Sequence, residues 1–312
     1  MRVGRNPLTN AVTKDRERVV LAVITHLPND WQGYHKFRWP IVALSIRSMI
    51  KHVGDIPYHL VIWDNGSMPE FTNWLQEEIQ PDTLILSKNV GKSRARKAVF
   101  GMFEEGTIIN MADDDMFYFP NWLKPQLDIL FHFDRGGPWV GTVTGYPVRT
   151  SYRWANESSK RFGQTYGTLE KGKYIIPEWD ADFCTSIGRD YEQHKKTSTN
   201  IVEYKIKFKG KEALAVGHHC QFICFVERIL PLLKWDADAM ADEKPFDRAV
   251  DNKYMRLCTT QRYTMHMGNV LDDKLRELAS RYDLAVTGIN AATSQPPAGT
   301  VRGGRIAAAV KV

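Results

Sequence analysis

The strongest constraint on this chain is an alternation between Val19 and Pro147. Five apolar runs of strand length are separated by stretches with helical spacing. The runs are VVLAVITHL (19–27), HLVIWDNGS (59–67), TLILSKN (83–89), TIINMADDD (107–115) and WVGTVTGYP (139–147). The first is apolar throughout, which suits a strand buried on both faces. Between the runs, Val42, Ile46, Met49, Ile50 and Val53 recur at helical spacing. PEFTNWLQEEIQ (69–80), with Pro69 at its start, and GKSRARKAVFGMFEE (91–105) predict helices, and NWLKPQLDILFHF (121–133) predicts a partly helical stretch. Strands alternating with helices build βαβ units, so the expected fold class is α/β, a mostly parallel central sheet flanked by helices. A hydrophobic share of 43% in 312 residues supports a sizeable core and excludes a disordered or fibrous chain.

The second half is less regular and predicts a smaller β/α region. YKIKFK (204–209) alternates strictly, and the span 195–211 carries six Lys against one Glu. That pattern predicts a solvated edge strand, with a basic patch for an anionic acceptor as the alternative. The net charge of +6 does not come from this region. Residues 1–18 and 289–312 contribute +3 each, and the span between them is balanced. The expected organisation is a flexible basic arm (1–17), one domain (18–288) with halves at 18–150 and 151–288, and a disordered tail (289–312). No apolar run approaches the ~18 residues of a membrane span. The basic N-terminus lacks an apolar signal core, and Cys184, Cys220, Cys224 and Cys258 have no zinc spacing. The expectation is a cytoplasmic protein with reduced, buried thiols.

In open α/β sheets, ligands bind beyond the carboxyl ends of the strands. Those ends read Thr25-His26, Asp64-Asn65-Gly66-Ser67, Asn89 and Asp113-Asp114-Asp115, unusually polar for segments otherwise apolar. In an extended stretch Asp113 and Asp115 point one way and Asp114 the other. Carboxylates held together repel, and a divalent cation relieves them. Mg²⁺ commonly takes one or two carboxylates plus substrate phosphates. Four tryptophans, Trp122, Trp139, Trp154 and Trp179, are candidates for stacking on the apolar face of a ligand. Core packing is the commoner use, and Trp179, in the polar stretch PEWDADF, is the best functional candidate.

Taken together, VIWDNGS, KNVGKSRARKAVF and IINMADDDMFYFPNWL resemble the nucleotide-sugar-dependent glycosyltransferases of the GT-A fold, family 2-like. Asn89, Gly91, Ala95 and Arg96 fall at matching positions, with Lys97 where the family often has Asn. CQFICFVERILPLL (220–233) and PFDRAVDNKYMRLCTTQRYTMHMGNV (245–270) resemble its acceptor-side strand, helix and terminal His segment. The resemblance implies a metal-dependent hexosyltransferase-type enzyme using a UDP- or GDP-sugar. Thr25, His26, Asp64, Asn89, Arg94 and Asp113 would bind the donor, and Asp113, Asp115 and His266 would hold Mn²⁺ or Mg²⁺. Asp247, with Asp251 second, would accept the acceptor's proton, although the family's usual Glu-Asp pair is absent because Phe246 precedes Asp247. The acceptor stays open among glycan, protein and modified nucleic acid. A sugar-nucleotide nucleotidyltransferase is the rival enzyme. It would favour a Gly-rich basic loop after the first strand, where this chain has THLPNDWQGYHKFRWP. A non-catalytic GT-A-like binding module would be expected to lose an acid or the His.

Overall fold

The computed structural model describes residues 19–29, 35–137, 139–234, 239–286 and 310–311. The expected arm (1–17) lies outside these residues. So does the expected tail, apart from two residues that pair with the sheet. The predicted alternation is present. Strands β1 (Val19–Thr25), β2 (His59–Asn65), β3 (Thr83–Ser87) and β4 (Ile108–Ala112) are parallel neighbours in the order β3-β2-β1-β4. Helices α1 (Arg38–Lys51), α2 (Pro69–Trp74) and α3 (Lys92–Gly101) make the crossovers. The 69–80 stretch is helical as predicted, but its second part, Leu75–Ile79, is π-wound.

The uniform hydrophobicity of β1 reflects two-sided burial. Leu21 and Val23 pack into one core cluster, and Val20 and Ala22 into another. Beyond β4 the sheet changes character. β10 (Gln221–Phe225) runs antiparallel between β4 and β6 (Val140–Thr144), and β11 (Met255–Cys258) lies parallel to β6. Then β9 (Lys211–Leu214), β8 (Glu203–Phe208) and β7 (Thr168–Gly172) close that end in antiparallel order. At the opposite edge, Val310–Lys311 pairs in parallel with Ile85 and Leu86 of β3.

The lysine-rich strand differs from its prediction in two ways. β8 is not an edge, because β7 covers it. Nor is it a bare basic patch: Lys205 and Lys207 each pair with both Glu170 and Glu212 on the flanking strands. Cross-strand partners on a sheet face cannot be read from one strand's alternation. All four cysteines are free and buried. Among the described residues, no helix is long and apolar enough to cross a membrane.

Candidate active site

The acid triplet follows β4, but it does not continue as extended chain. Asp114 and Asp115 form a turn into the short strand β5 (Met116–Tyr118). The expected alternation therefore fails, and all three carboxylates line one cleft of about 340 Å³. Each meets protein cations. Lys92 Nζ lies 2.7 Å from Asp113 Oδ1, and Arg96 lies 3.5 Å from the same atom. Arg38, in the first turn of α1, pairs with Asp114 and lies 3.1 Å from Asp115 Oδ2. Burial and its two acidic neighbours push the Asp114 carboxyl upward, against the pull of Arg38.

His266, 151 residues beyond Asp115 in the chain, is delivered to this turn by strand pairing. β12 (Thr264–His266) runs antiparallel to β5 and sets His266 opposite Met116. Its Nε2 then lies 3.4 Å from Asp115 Oδ1, while Nδ1 is 2.9 Å from Ser186 Oγ in α6 (Pro177–Ser186). Gly268 permits this approach. Its φ is +72°, and a Cβ there would sit 2.1 Å from the Ser186 carbonyl oxygen. Burial lowers the His266 pKa, but Asp115 outweighs it and the net shift is upward. For Asp115, burial is overcome by His266 and Arg38, and its carboxyl lies well below the usual range.

The donor-side expectations divide. His26 and Asn89 line the cleft, joined through His26 Nε2 and Asn89 Nδ2 at 3.2 Å. Asn65 joins them, donating to Asn89 Oδ1 at 3.1 Å. Gly66 lets the two turns meet, since its φ is +83° and a Cβ would lie 2.7 Å from the Asn89 nitrogen. Thr25 and Asp64, also expected on the donor side, are buried and bonded to each other. Asp64 accepts from Thr25 Oγ1, the Ser67 N–H and Thr72 Oγ1, so its oxygens brace the turn rather than face the cleft. Arg94 is exposed and is not among the residues that line the cleft. Residues 92 and 96 share a helix face and residue 94 lies on the opposite side, so Lys92 and Arg96 take the cleft positions.

On the acceptor side, Asp247 and Asp251 of α9 (Ala239–Asp251) also part company. Asp247 is 7% exposed and lies 2.6 Å from Arg256 and 3.1 Å from His219 Nδ1. Asp251 instead accepts from the Glu157 and Ser158 N–H groups, at 3.0 and 3.1 Å, and from Ser158 Oγ at 2.6 Å. It thereby satisfies N–H groups at the N-terminus of α5 (Glu157–Tyr166). The sequence reading missed Glu243. Its carboxylate lies 3.3 Å from Lys92 Nζ and 3.0 Å from His219 Nε2, linking the acid turn to α9. Burial raises its pKa, but His219 and Lys92 outweigh that and bring it down to about 2. Against the downward pull of burial, Cys220, Asp247 and Glu243 hold the His219 pKa well above the ordinary histidine value. The missed residues, Arg38, Lys92, His219 and Glu243, have no shared spacing signal, because four separate elements supply them. Ligand atoms of His218, His219 and Cys220 also lie within 4.8 Å of one another, but both His219 nitrogens are engaged by Glu243 and Asp247.

The sequence profile of glycosyl transferase family 2 matches residues 34–195, just over half of the chain. No curated protein matches. Among solved structures, residues 1–349 of TarS from S. aureus share 10% identity, with a TM-score of 0.42 over 79% of this chain and 59% of that one. GalNAc-T7, solved with UDP, GalNAc and Mn²⁺, shares 13% identity, with a TM-score of 0.43 over 81% of this chain and 44% of that one. The mannosyltransferase PcManGT from Pyrobaculum calidifontis, solved with GDP-Man and Mn²⁺, shares 18% identity, with a TM-score of 0.32 over 46% and 40%. This chain therefore spans less than two thirds of the length of each. With its strand-end acids, its α/β sheet and the profile match across both, this chain belongs to glycosyl transferase family 2.

Proposed function

We propose that the protein transfers a sugar, of hexose type, from a UDP- or GDP-sugar to a hydroxyl acceptor, with Mn²⁺ or Mg²⁺ held by Asp113, Asp115 and His266. One observation carries this reading: the juxtaposition of His266 Nε2 with Oδ1 of Asp115, a residue that lines the cleft. Asp115 Oδ1 is buried and accepts no hydrogen bond, and it faces an imidazole nitrogen. Carboxylate oxygen and imidazole nitrogen form a donor set suited to Mn²⁺, so the residues fit the ion. When bound, such an ion supplies Lewis-acid neutralisation of the departing diphosphate.

The chain's own groups account for the remaining chemistry. Lys92 and Arg96, at the start of α3, offer positive charge to phosphate oxygens, and the N-terminus of the same helix adds its dipole. Arg38 fixes the Asp114–Asp115 turn, and its Nη1 also donates to Asn269 Oδ1 at 2.9 Å. His26 and Asn89 form the wall beside the nucleoside. In an inverting displacement the acceptor hydroxyl needs a base. Asp247 is the base expected from the family pattern, but both its oxygens are engaged by Arg256 and His219. Both Glu243 oxygens are engaged too, by Lys92 and His219, but its side chain is more exposed and Lys92 ties it to Asp113 of the acid turn. We assign it proton acceptance, with Asp247 holding it through His219. A diphosphate that draws Lys92 away removes one cation from Glu243 and raises its basicity.

A thermal-shift screen of nucleoside diphosphates, with and without Mn²⁺, tests the reading. One nucleotide is expected to raise the melting temperature only when Mn²⁺ is present. Indifference to every nucleotide under both conditions would refute it.

A further inference from the structure

A second concavity, of about 360 Å³, lies away from the cleft, among Tyr152, Arg153, Lys160, Asn200, Val202 and Tyr204. No acidic side chain lines it. Its walls are tied to the main chain. The Tyr152 hydroxyl donates to the Tyr204 carbonyl at 3.0 Å, and Arg153 donates to the Thr197 carbonyl. Lys160 Nζ stands 5.3 Å from the centre of the Tyr204 ring and is paired with the more exposed Glu157. Two tyrosine rings with two cations make a surface with apolar faces and anion-binding edges.

The next residue in the chain after Arg153 is Trp154. Its side chain is 40% exposed, and Lys244 Nζ lies 4.6 Å from its ring, one residue beyond Glu243. The turn that presents it is strained: Ala155 has φ +46°, a conformation that costs a residue with a Cβ about 1 kcal/mol or more. Arg256 holds the turn, donating to the Ala155 carbonyl at 2.9 Å while pairing with Asp247 at 2.6 Å. Asn156 Nδ2 secures it further through the Ser151 and Trp154 carbonyls. An exposed tryptophan on a strained turn that Arg256 ties to Asp247 is more than core packing requires.

We propose that Trp154 and the Tyr152–Tyr204 groove form an extended acceptor subsite for an anionic saccharide. The Trp154 and tyrosine rings take pyranose faces. Arg153, Lys160 and Lys244 take its carboxylate or phosphate groups. The inference rests on the glycosyl-transfer reading and adds the acceptor's chemical class to it.

The test is calorimetric titration of the full chain with three oligosaccharides: tetragalacturonate, a phosphorylated mannose oligomer and neutral maltotetraose. A parallel titration with UDP and GDP in Mn²⁺ reports on the donor cleft. At least one anionic probe is expected to bind about tenfold more tightly than the neutral one, and to weaken as salt rises from about 50 to about 300 mM. Which anionic probe binds distinguishes carboxylate from phosphate. Arg153→Gln with Lys160→Gln, and separately Trp154→Ala, are each expected to lower that affinity about fivefold or more. The Gln pair keeps side-chain length, so it reports on charge even if Trp154→Ala perturbs the turn. Equal binding of charged and neutral probes, no binding of any, or affinity unmoved by both variants would overturn the subsite. Loss of nucleotide binding in the wild type would instead sink the transfer reading.

Discussion

The two acid clusters of this molecule are assembled by opposite routes. The first, Asp113–Asp115, sits at a strand end. Its three members stay together because a turn into β5 gathers them into one cleft. The second lies on helix α9, where Asp247 and Asp251 share helical spacing yet serve different neighbours. Asp247 meets His219 and Arg256, whereas Asp251 caps α5. A strand end in a parallel sheet points to the ligand edge whatever surrounds it. A helix face takes its role from what packs against it, and Glu243, one turn earlier, joins the first cluster through Lys92.

The largest effect is expected where the clusters meet the proposed ion. Asp115→Asn should reduce sugar transfer by about a thousandfold or more, since it removes several kcal/mol of charge stabilisation. Steady-state transfer assays check this, and near-normal turnover would detach the turn from the chemistry. Next comes the acid pair. Glu243→Gln should cut kcat by about a hundredfold with little change in donor affinity, while Asp247→Asn should cost less. The reverse ranking would return the base to Asp247.

Lys92→Ala should weaken donor binding by about tenfold to a hundredfold, as expected for the loss of a charged hydrogen bond. Arg94→Ala should leave donor binding unchanged, which calorimetry on both variants would show. The smallest effect is on the helix cap. Asp251→Ala should lower stability by about 1 kcal/mol in denaturant titration and leave kcat untouched. A large fall in kcat would restore Asp251 to the site.

Acid titration separates the two clusters further. The Glu243 pKa in the folded protein, about 2, lies below the ordinary glutamate value of 4.5. Its contribution to stability is therefore fully present above pH 4.5 and lost as pH falls toward 2. Glu243→Gln should flatten that part of the curve of melting temperature against pH. His219 has the opposite sign: its raised pKa contributes stability at low pH that disappears as pH climbs past the folded value.

The first half of the chain was legible because its signals are local. Apolar runs at 19–27, 59–67, 83–89 and 107–115 correspond to β1–β4, and the polar residues that end them mark the cleft edge. What local pattern could not settle was direction. Asp64 and Thr25 turn inward because the β2–α2 turn needs their oxygens, and Arg94 faces out because Lys92 and Arg96 already define the inner face. In the second half of the chain, α5, α6 and α7 (Tyr191–Ser198) went unpredicted, as did the short strands β7 and β9. Side-chain pairs such as His194–Asp180 and Arg149–Asp180 help hold the helices, and such pairs leave no periodic trace. His266 was found only by resemblance to a family, and pairing of β12 with β5 is the physical reason it reaches Asp115.

The central claim is that His266 and the acid turn hold a cation against a diphosphate. It is tested most directly by calorimetric titration of UDP and GDP into wild type and His266→Ala, each with and without Mn²⁺. Mn²⁺ is expected to tighten nucleotide binding by about tenfold or more in wild type, a gain that vanishes in His266→Ala. An equal gain in both proteins, or none in wild type, would contradict it.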